Sequence, residues 1–195
     1  MKYKIVFLLC CLPLFIFGAE PSKELAQYAA QLSEVKTLTS NFLEEKHLAL
    51  LTQPIQSQGT LAFDKNAQKL RWQYEKPFET GFIIEGPRVY RLQNGQKKSV
   101  QNAMGKIMAA QMLVWLTLDF DALQKNYDIV LKEHQIVFTP RAQDHKVVKQ
   151  ITVWLDDKNP RLVTQVRMEE PSGDFVLWKF SQTVLNPPLT KEAFL

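Results

Sequence analysis

The sequence predicts an α+β fold, mainly β: one antiparallel sheet of about ten strands, one helix before it and one or two helices inserted near its middle. Three observations predict it. Large apolar residues alternate with polar ones over short stretches, as in Leu70, Trp72 and Tyr74 against Arg71, Gln73 and Glu75. Turn residues separate those stretches, among them Asp64-Lys65-Asn66, Glu85-Gly86-Pro87 and Asn94-Gly95. Helical spacing replaces the alternation in two places, early in the chain and from Gln101 to Leu118.

In order, Ser22 to Lys36 reads as a helix, with Leu25, Tyr28/Ala29, Leu32 and Val35 on one face. Leu38 to Leu51 reads as a strand anchored by Phe42, and Thr52 to Ser57, holding Pro54, as a loop. Gly59 to Asp64, Leu70 to Glu75, Phe82 to Ile84 and Val89 to Leu92 follow as a meander. Pro77 closes its second strand because it has no N–H for a ladder. Asn94-Gly95 joins the last of these to Lys97–Val100 as a hairpin. Asp119 to Lys125 reads as a short helix capped by Asp119. Tyr127–Lys132, Gln135–Thr139, Lys146–Leu155, Leu162–Met168 and Asp174–Phe180 complete the sheet. In the last of these, apolar side chains fall on both faces, so it is expected to be covered on both sides.

At 195 residues the chain suits one domain with a real core. Residues 1–19 read as a secretory signal: Lys2 and Lys4, an apolar run from Ile5 to Phe17 broken by Pro13, then Gly18-Ala19 for cleavage. The run is short for a membrane span; an uncleaved N-terminal anchor is the competing reading. The expected product is an exported domain of residues 20–195. Both cysteines, Cys10 and Cys11, lie in the signal, so the mature domain has no thiol and no disulfide framework. Formal charge is +4, and about +2 without Lys2 and Lys4, with cations interspersed among acids. That pattern argues against nucleic acid, which needs a clustered basic face.

Little points to catalysis. His47, His134 and His145 share no ligand-spaced motif, so neither a metal nor a cofactor is expected. No phosphate loop, nucleophile elbow or H-E-x-x-H occurs. Glu44-Glu45 and Glu169-Glu170 are adjacent pairs that a strand sends to opposite faces, and solvated surface chemistry is the expectation for them and for Asp156-Asp157. The chain is expected not to be an enzyme.

The apolar signal is stronger. Met104, Met108 and Met112 lie four apart with Trp115 three further on, one stripe of a helix. It is either the core helix of the domain or a lid over an apolar cavity. Methionine suits the second use because it packs adaptably around ligands of irregular shape.

The order of these elements resembles the bacterial outer-membrane lipoprotein carrier (LolA) family. Leu32-Ser33-Glu34-Val35-Lys36-Thr37 leads into a strand with Asn41-Phe42. Gly59-Thr60-Leu61-Ala62-Phe63, Leu70-Arg71-Trp72-Gln73-Tyr74 with Pro77, and Phe82-Ile83-Ile84-Glu85-Gly86 before Val89-Tyr90 come next. The inserted helical segment, Tyr127-Asp128-Ile129, Phe138-Thr139-Pro140 and a strand ending near Phe180 complete the likeness. The resemblance implies a single curved antiparallel half-barrel closed on its concave side by helices. It also implies a monomeric periplasmic chaperone that takes acylated lipoproteins from an inner-membrane ABC-type releasing complex and hands them to an outer-membrane acceptor. Where the family has Arg-Pro, whose arginine helps hold the lid closed, this chain has Lys65-Asn66, so lid contact falls to Lys65, a charge without the guanidinium fork. The chain also stops at Ala193-Phe194-Leu195, where the family continues into a Pro-rich tail. Both departures leave room for a specialised relative that carries another acylated lipid or glycolipid, or for a lipid-sensing interaction domain. The expected lipid-binding residues are Trp72, Tyr74, Phe82 and Ile84 of the sheet and Met104, Met108, Met112, Leu113 and Leu116 of the lid. Alternation alone leaves open which sheet face is concave.

Overall fold

The computed structural model describes residues 23–93, 95–101, 119–141 and 147–194. Helix α1 (Lys23–Ser33) buries Leu25, Tyr28 and Leu32 and leaves Glu24, Gln27 and Gln31 exposed, the amphipathic division its spacing demands. Six strands follow: β1 (Thr37–His47), β2 (Ile55–Asp64), β3 (Lys69–Lys76), β4 (Thr80–Glu85), β5 (Arg88–Gln93) and β6 (Gln96–Val100). Helix α2 (Phe120–Leu123) is capped by Asp119, whose carboxylate accepts from the Ala122 amide at 3.1 Å. Five more strands complete the sheet: β7 (Tyr127–Lys132), β8 (Gln135–Pro140), β9 (Gln150–Leu155), β10 (Val163–Glu169) and β11 (Phe175–Leu185). A 3-10 turn (Lys191–Phe194) ends the described chain.

The eleven strands form one antiparallel sheet in the order β6-β5-β4-β3-β2-β1-β11-β10-β9-β8-β7. It is two meanders, β1 to β6 and β7 to β11, joined by pairing the first strand with the last, Phe42 opposite Phe180. Asn186 fixes that seam. Its side-chain oxygen accepts from the Lys36 amide at 2.7 Å and its side-chain amide donates to the Glu34 carbonyl at 3.3 Å, tying the exit of α1 to the end of β11. Strands β6 and β7 stand at the two ends of the order, so the sheet is an open half-barrel.

Several boundaries differ from the sequence reading. β1 stops at His47, and Leu48–Leu51 forms a turn closed by the Leu51 amide on the Leu48 carbonyl at 2.9 Å. The stretch read as loop to Ser57 is already strand from Ile55, because Ile55–Ser57 pair with Lys46–Glu44 of β1. β9 begins at Gln150 rather than Lys146. β11 runs to Leu185, past the expected end at Phe180, by absorbing an irregularity near Gln182, whose φ is +52°. The methionine-rich segment 102–118 lies outside the described residues.

Cross-strand register assigns the faces. Leu61, Trp72 and Phe82 form one row, and Phe63, Leu70, Ile84 and Val89 the next. On the other meander Ile136, Phe138, Ile151, Val153 and Leu155 share that face, where Leu25, Tyr28 and Leu32 of α1 and Phe120 and Leu123 of α2 pack on them. The opposite face carries Glu45, His47, Arg71, Gln73, Lys97, Arg167 and Lys179 and is mostly polar. The expectation that the β11 strand is covered on both sides is not met: Phe175 to Phe180 are half-buried, and on the polar face Phe175 is flanked, among the described residues, only by His47, stacked at 4.2 Å between ring centroids, and by the Arg167 guanidinium, 3.9 Å from the same ring. Phe194 is buried against this polar face, near Lys69.

Candidate functional site

Trp72 of β3 and Phe180 of β11 belong to strands three places apart, about 14 Å in a flat sheet. Their ring centroids are 6.4 Å apart. The sheet therefore curls toward the face that carries them, and Trp72 and Tyr74 lie on the concave side. Gly59 permits the curl. A Cβ there would meet the Gln73 carbonyl oxygen at 1.8 Å and the Phe42 ring at 2.9 Å. The bare backbone lets Phe42 lie over it and reach Trp72 at 4.4 Å and Tyr74 at 5.2 Å between centroids.

The aromatic floor is thus Phe42, Trp72, Tyr74, Phe82, Trp178 and Phe180, with Leu38 and Leu61 among them. Trp72 and Phe82 stack with planes 5° apart. Beside it Phe63, Leu70, Ile84 and Val89 form a second buried cluster. Both clusters consist, among the described residues, of strand residues alone, whereas α1 and α2 pack on the β7–β10 end. The Trp72 indole N–H is buried and makes no well-aligned hydrogen bond among the described residues, although it lies close enough to the Tyr74 phenol to act on it.

One polar group interrupts this surface. Glu44 is 2% exposed on the inner face. Its Oε2 accepts from the Tyr74 hydroxyl at 2.7 Å and from the Trp178 indole at 2.8 Å, and its Oε1 lies 3.2 Å from Lys46 Nζ. Burial, reinforced by the adjacent carboxylate, pushes the Tyr74 phenol above its ordinary range. Glu45, on the other face, accepts from Lys179 at 3.0 Å, and this contact holds its carboxyl below the usual range. The two glutamates do point to opposite faces. They are not solvated, as the sequence had suggested, because β1 is the central strand and both faces around it are covered.

Of the residues expected to bind lipid, the structure brings Trp72, Tyr74 and Phe82 together on the concave floor and sets Ile84 in the adjoining cluster. Met104, Met108, Met112, Leu113 and Leu116 lie outside the described residues. Lys65 sits in the β2–β3 turn, where its amide donates to the Lys36 carbonyl at 2.8 Å. The site also contains Glu44, Trp178 and Phe180, which the sequence reading left out. The alternation Val176, Trp178, Phe180 was a signal for the last two, but β11 looked apolar on both faces. No cluster able to hold a metal ion occurs among the described residues, and no described helix is long and apolar enough to cross a membrane.

Residues 33–195 match the model of the outer membrane lipoprotein carrier protein LolA family. No curated protein matches the chain in sequence. Among solved structures, a chain of the MucA/MucB complex from Pseudomonas aeruginosa superposes with TM-score 0.56 at 14% identity, over 88% of this chain and 59% of that one, so this chain spans less than two thirds of that relative. A DUF1329 family protein from Desulfovibrio piger superposes with TM-score 0.52 at 14% identity, covering 88% and 95% of the two chains. The LolA superfamily protein NE2245 from Nitrosomonas europaea gives TM-score 0.49 at 11% identity, covering 91% and 98%. At such identities the structural likeness is one of fold. The family itself is shown by the sequence match, which takes in every strand of the half-barrel and its aromatic floor: the chain belongs to the LolA family.

Proposed function

We propose that the protein is a periplasmic carrier that encloses the acyl chains of lipoproteins, or of another acylated lipid, between the concave sheet and a lid formed by residues 101–118. The observation that carries this reading is the aromatic floor, Phe42, Trp72, Tyr74, Phe82, Trp178 and Phe180, on the concave face of an open sheet. Each methylene shielded there contributes about 0.8 kcal/mol, so a chain of ~14–16 carbons gains on the order of 10 kcal/mol before ordering costs. The Trp72 N–H, which has no well-aligned acceptor, supplies a donor for an ester carbonyl. Met104, Met108, Met112, Leu113 and Leu116 form the adaptable roof, with Lys65 as its contact on the sheet. The protein catalyses no reaction in this reading.

Hand-over to an inner-membrane releasing complex and an outer-membrane acceptor is assigned to one end of the sheet. The β1–β2 and β3–β4 turns both lie at that end, and Leu50 is 97% and Phe78 78% exposed. Where exposed apolar side chains form a contiguous patch, they mark a partner site. The likeness to a chain of the MucA/MucB complex supports a second reading, an interaction domain that senses lipid without ferrying it. Native mass spectrometry of the protein isolated from its own host separates these. A co-purifying acylated protein supports lipoprotein transport, a free amphiphile supports another lipid cargo, and no acyl species under any detergent-free preparation overturns the carrier reading.

A further inference from the structure

Arg91 of β5 and Lys98 of β6 are directly opposed in the ladder. Register places both on the concave face, because Arg91 continues the row that runs through Leu61, Trp72 and Phe82. Both are exposed at the margin of that face. Like charges directly opposite each other destabilise an antiparallel pair, and the usual remedy is a neighbouring carboxylate. None is at hand. Among the described strand residues the concave face holds one carboxylate, Glu44, which is already bonded to Tyr74, Trp178 and Lys46. The adjacent Glu85 belongs to the other face, where it pairs with Lys97 at 2.9 Å. The segment that follows β6, residues 101–118, contains neither Asp nor Glu.

We propose that Arg91 and Lys98 are a head-group station: they bind the phosphate or carboxylate of an anionic amphiphile whose acyl chain lies along Phe82, Trp72 and Phe42. The inference rests on the carrier reading above and narrows its cargo to lipids with an anionic head. The guanidinium supplies paired donors that fit a phosphate or carboxylate, and the ammonium adds a second charge from across the ladder. The floor continues inward from that point without a further charge until Glu44, so the row is cationic at its margin and aromatic within. A chain anchored by its head at Arg91 would run over Phe82 and Trp72 in that order.

The test compares dodecyl phosphate with the uncharged dodecyl maltoside, each below its micelle concentration, by isothermal titration. The proteins are the wild type, an Arg91→Gln/Lys98→Gln double variant and Lys97→Gln, whose side chain faces the other way. The double variant should bind dodecyl phosphate about tenfold or more weakly and dodecyl maltoside as the wild type does, and Lys97→Gln should match the wild type on both. Equal dodecyl phosphate affinity in the double variant overturns the head-group station and leaves the carrier reading standing. If the wild type binds neither amphiphile, the carrier reading fails and takes this one with it. Displacement of dodecyl phosphate by millimolar inorganic phosphate also overturns it, because the pair would then be a site for free anions.

Discussion

The Tyr74 hydroxyl donates a 2.7 Å hydrogen bond to Glu44 Oε2, reaching from β3 to β1 across the concave surface of β2. With the Trp178 indole on the same oxygen, this makes a strap that joins the two meanders over their most curved part. Bonds to a charged acceptor contribute ~1.5–3 kcal/mol when buried, and leaving a buried donor unpaired costs ~1–3 kcal/mol. Tyr74→Phe should therefore lower unfolding stability by about 1.5–3 kcal/mol. Glu44→Ala should lower it further, because it orphans both the Tyr74 and the Trp178 donors. Urea denaturation of the two variants reads this directly, and a Glu44→Ala protein no less stable than Tyr74→Phe would show that the strap carries no load.

The same contact has a pH signature. The Tyr74 phenol titrates higher in the folded protein than in the unfolded chain, first through burial and then through Glu44. A raised folded value means the neutral phenol favours the native state. Its contribution is complete below the ordinary tyrosine pKa of about 10 and is lost as pH rises above it. As pH rises above about 10, wild type should lose stability more steeply than Tyr74→Phe. Parallel profiles would remove Tyr74 from the account.

Glu45 behaves in the opposite sense. Its carboxyl is held below the ordinary range by the Lys179 bond, with His47 adding to it and burial opposing. A depressed folded value means the charged form favours the native state, so its contribution is present above the ordinary carboxylate pKa and decays as pH falls below it. Lys179→Met should flatten the acid limb of the stability profile, as followed by thermal unfolding from neutral pH down through the carboxylate range. An acid limb of unchanged slope would assign the acid sensitivity to other carboxylates.

Gly59 is the most constrained position in the sheet. The space a Cβ would need is taken by the Gln73 carbonyl, which cannot move without breaking the β2–β3 ladder. Gly59→Ala should cost about 3 kcal/mol or more, in the range of the severest single substitutions, and should flatten the curl that seats Phe42 on Trp72. Near-ultraviolet circular dichroism measures that loss of aromatic coupling. An unaltered spectrum would mean the curl has another origin. Gly81 of β4, which sits opposite Gln73 and so one register position from Gly59, is nearly as confined, with the Trp72 carbonyl 2.3 Å from its would-be Cβ.

How much of this was legible in the sequence follows from which forces are local. The alternation Leu70, Trp72, Tyr74 and the turn Glu85-Gly86-Pro87 depend on neighbouring residues only, and both stand where they were expected, with Gly86 at φ +55°. The end of β11 was not readable, because residues 181–185 become strand only by pairing with Leu38–Asn41, some 140 positions away. Which face was concave was equally closed to sequence reasoning, since the curl arises from Gly59 meeting a carbonyl on another strand. Glu44 was misjudged for the same reason: a charged residue reads as solvated until the strand that holds it is known to be central. Its two hydrogen-bond donors on other strands, Tyr74 and Trp178, lie 30 and 134 positions along the chain.

The proposed lid, residues 101–118, is where a plug and a roof divide most sharply. Leu70 and Ile84 are fully buried, although the described helices pack on the far end of the sheet. A roof over a hollow and a plug packed into the same face make different predictions for Met108→Asp/Met112→Asp. If the segment plugs the core, two buried carboxylates without partners cost several kcal/mol each and the domain loses its cooperative unfolding transition. If it roofs a hollow, the aspartates can swing to water, so the sheet keeps its transition while affinity for a fluorescent fatty acyl probe falls by about 30-fold or more, the loss of roughly 2–3 kcal/mol of methylene contacts. The carrier reading expects the second outcome, together with failure to release lipoprotein from spheroplasts into the soluble fraction. Loss of folding in the double aspartate variant, with full probe binding retained in Met108→Leu/Met112→Leu, would assign the methionines to the core and place the acyl chains elsewhere on the concave floor.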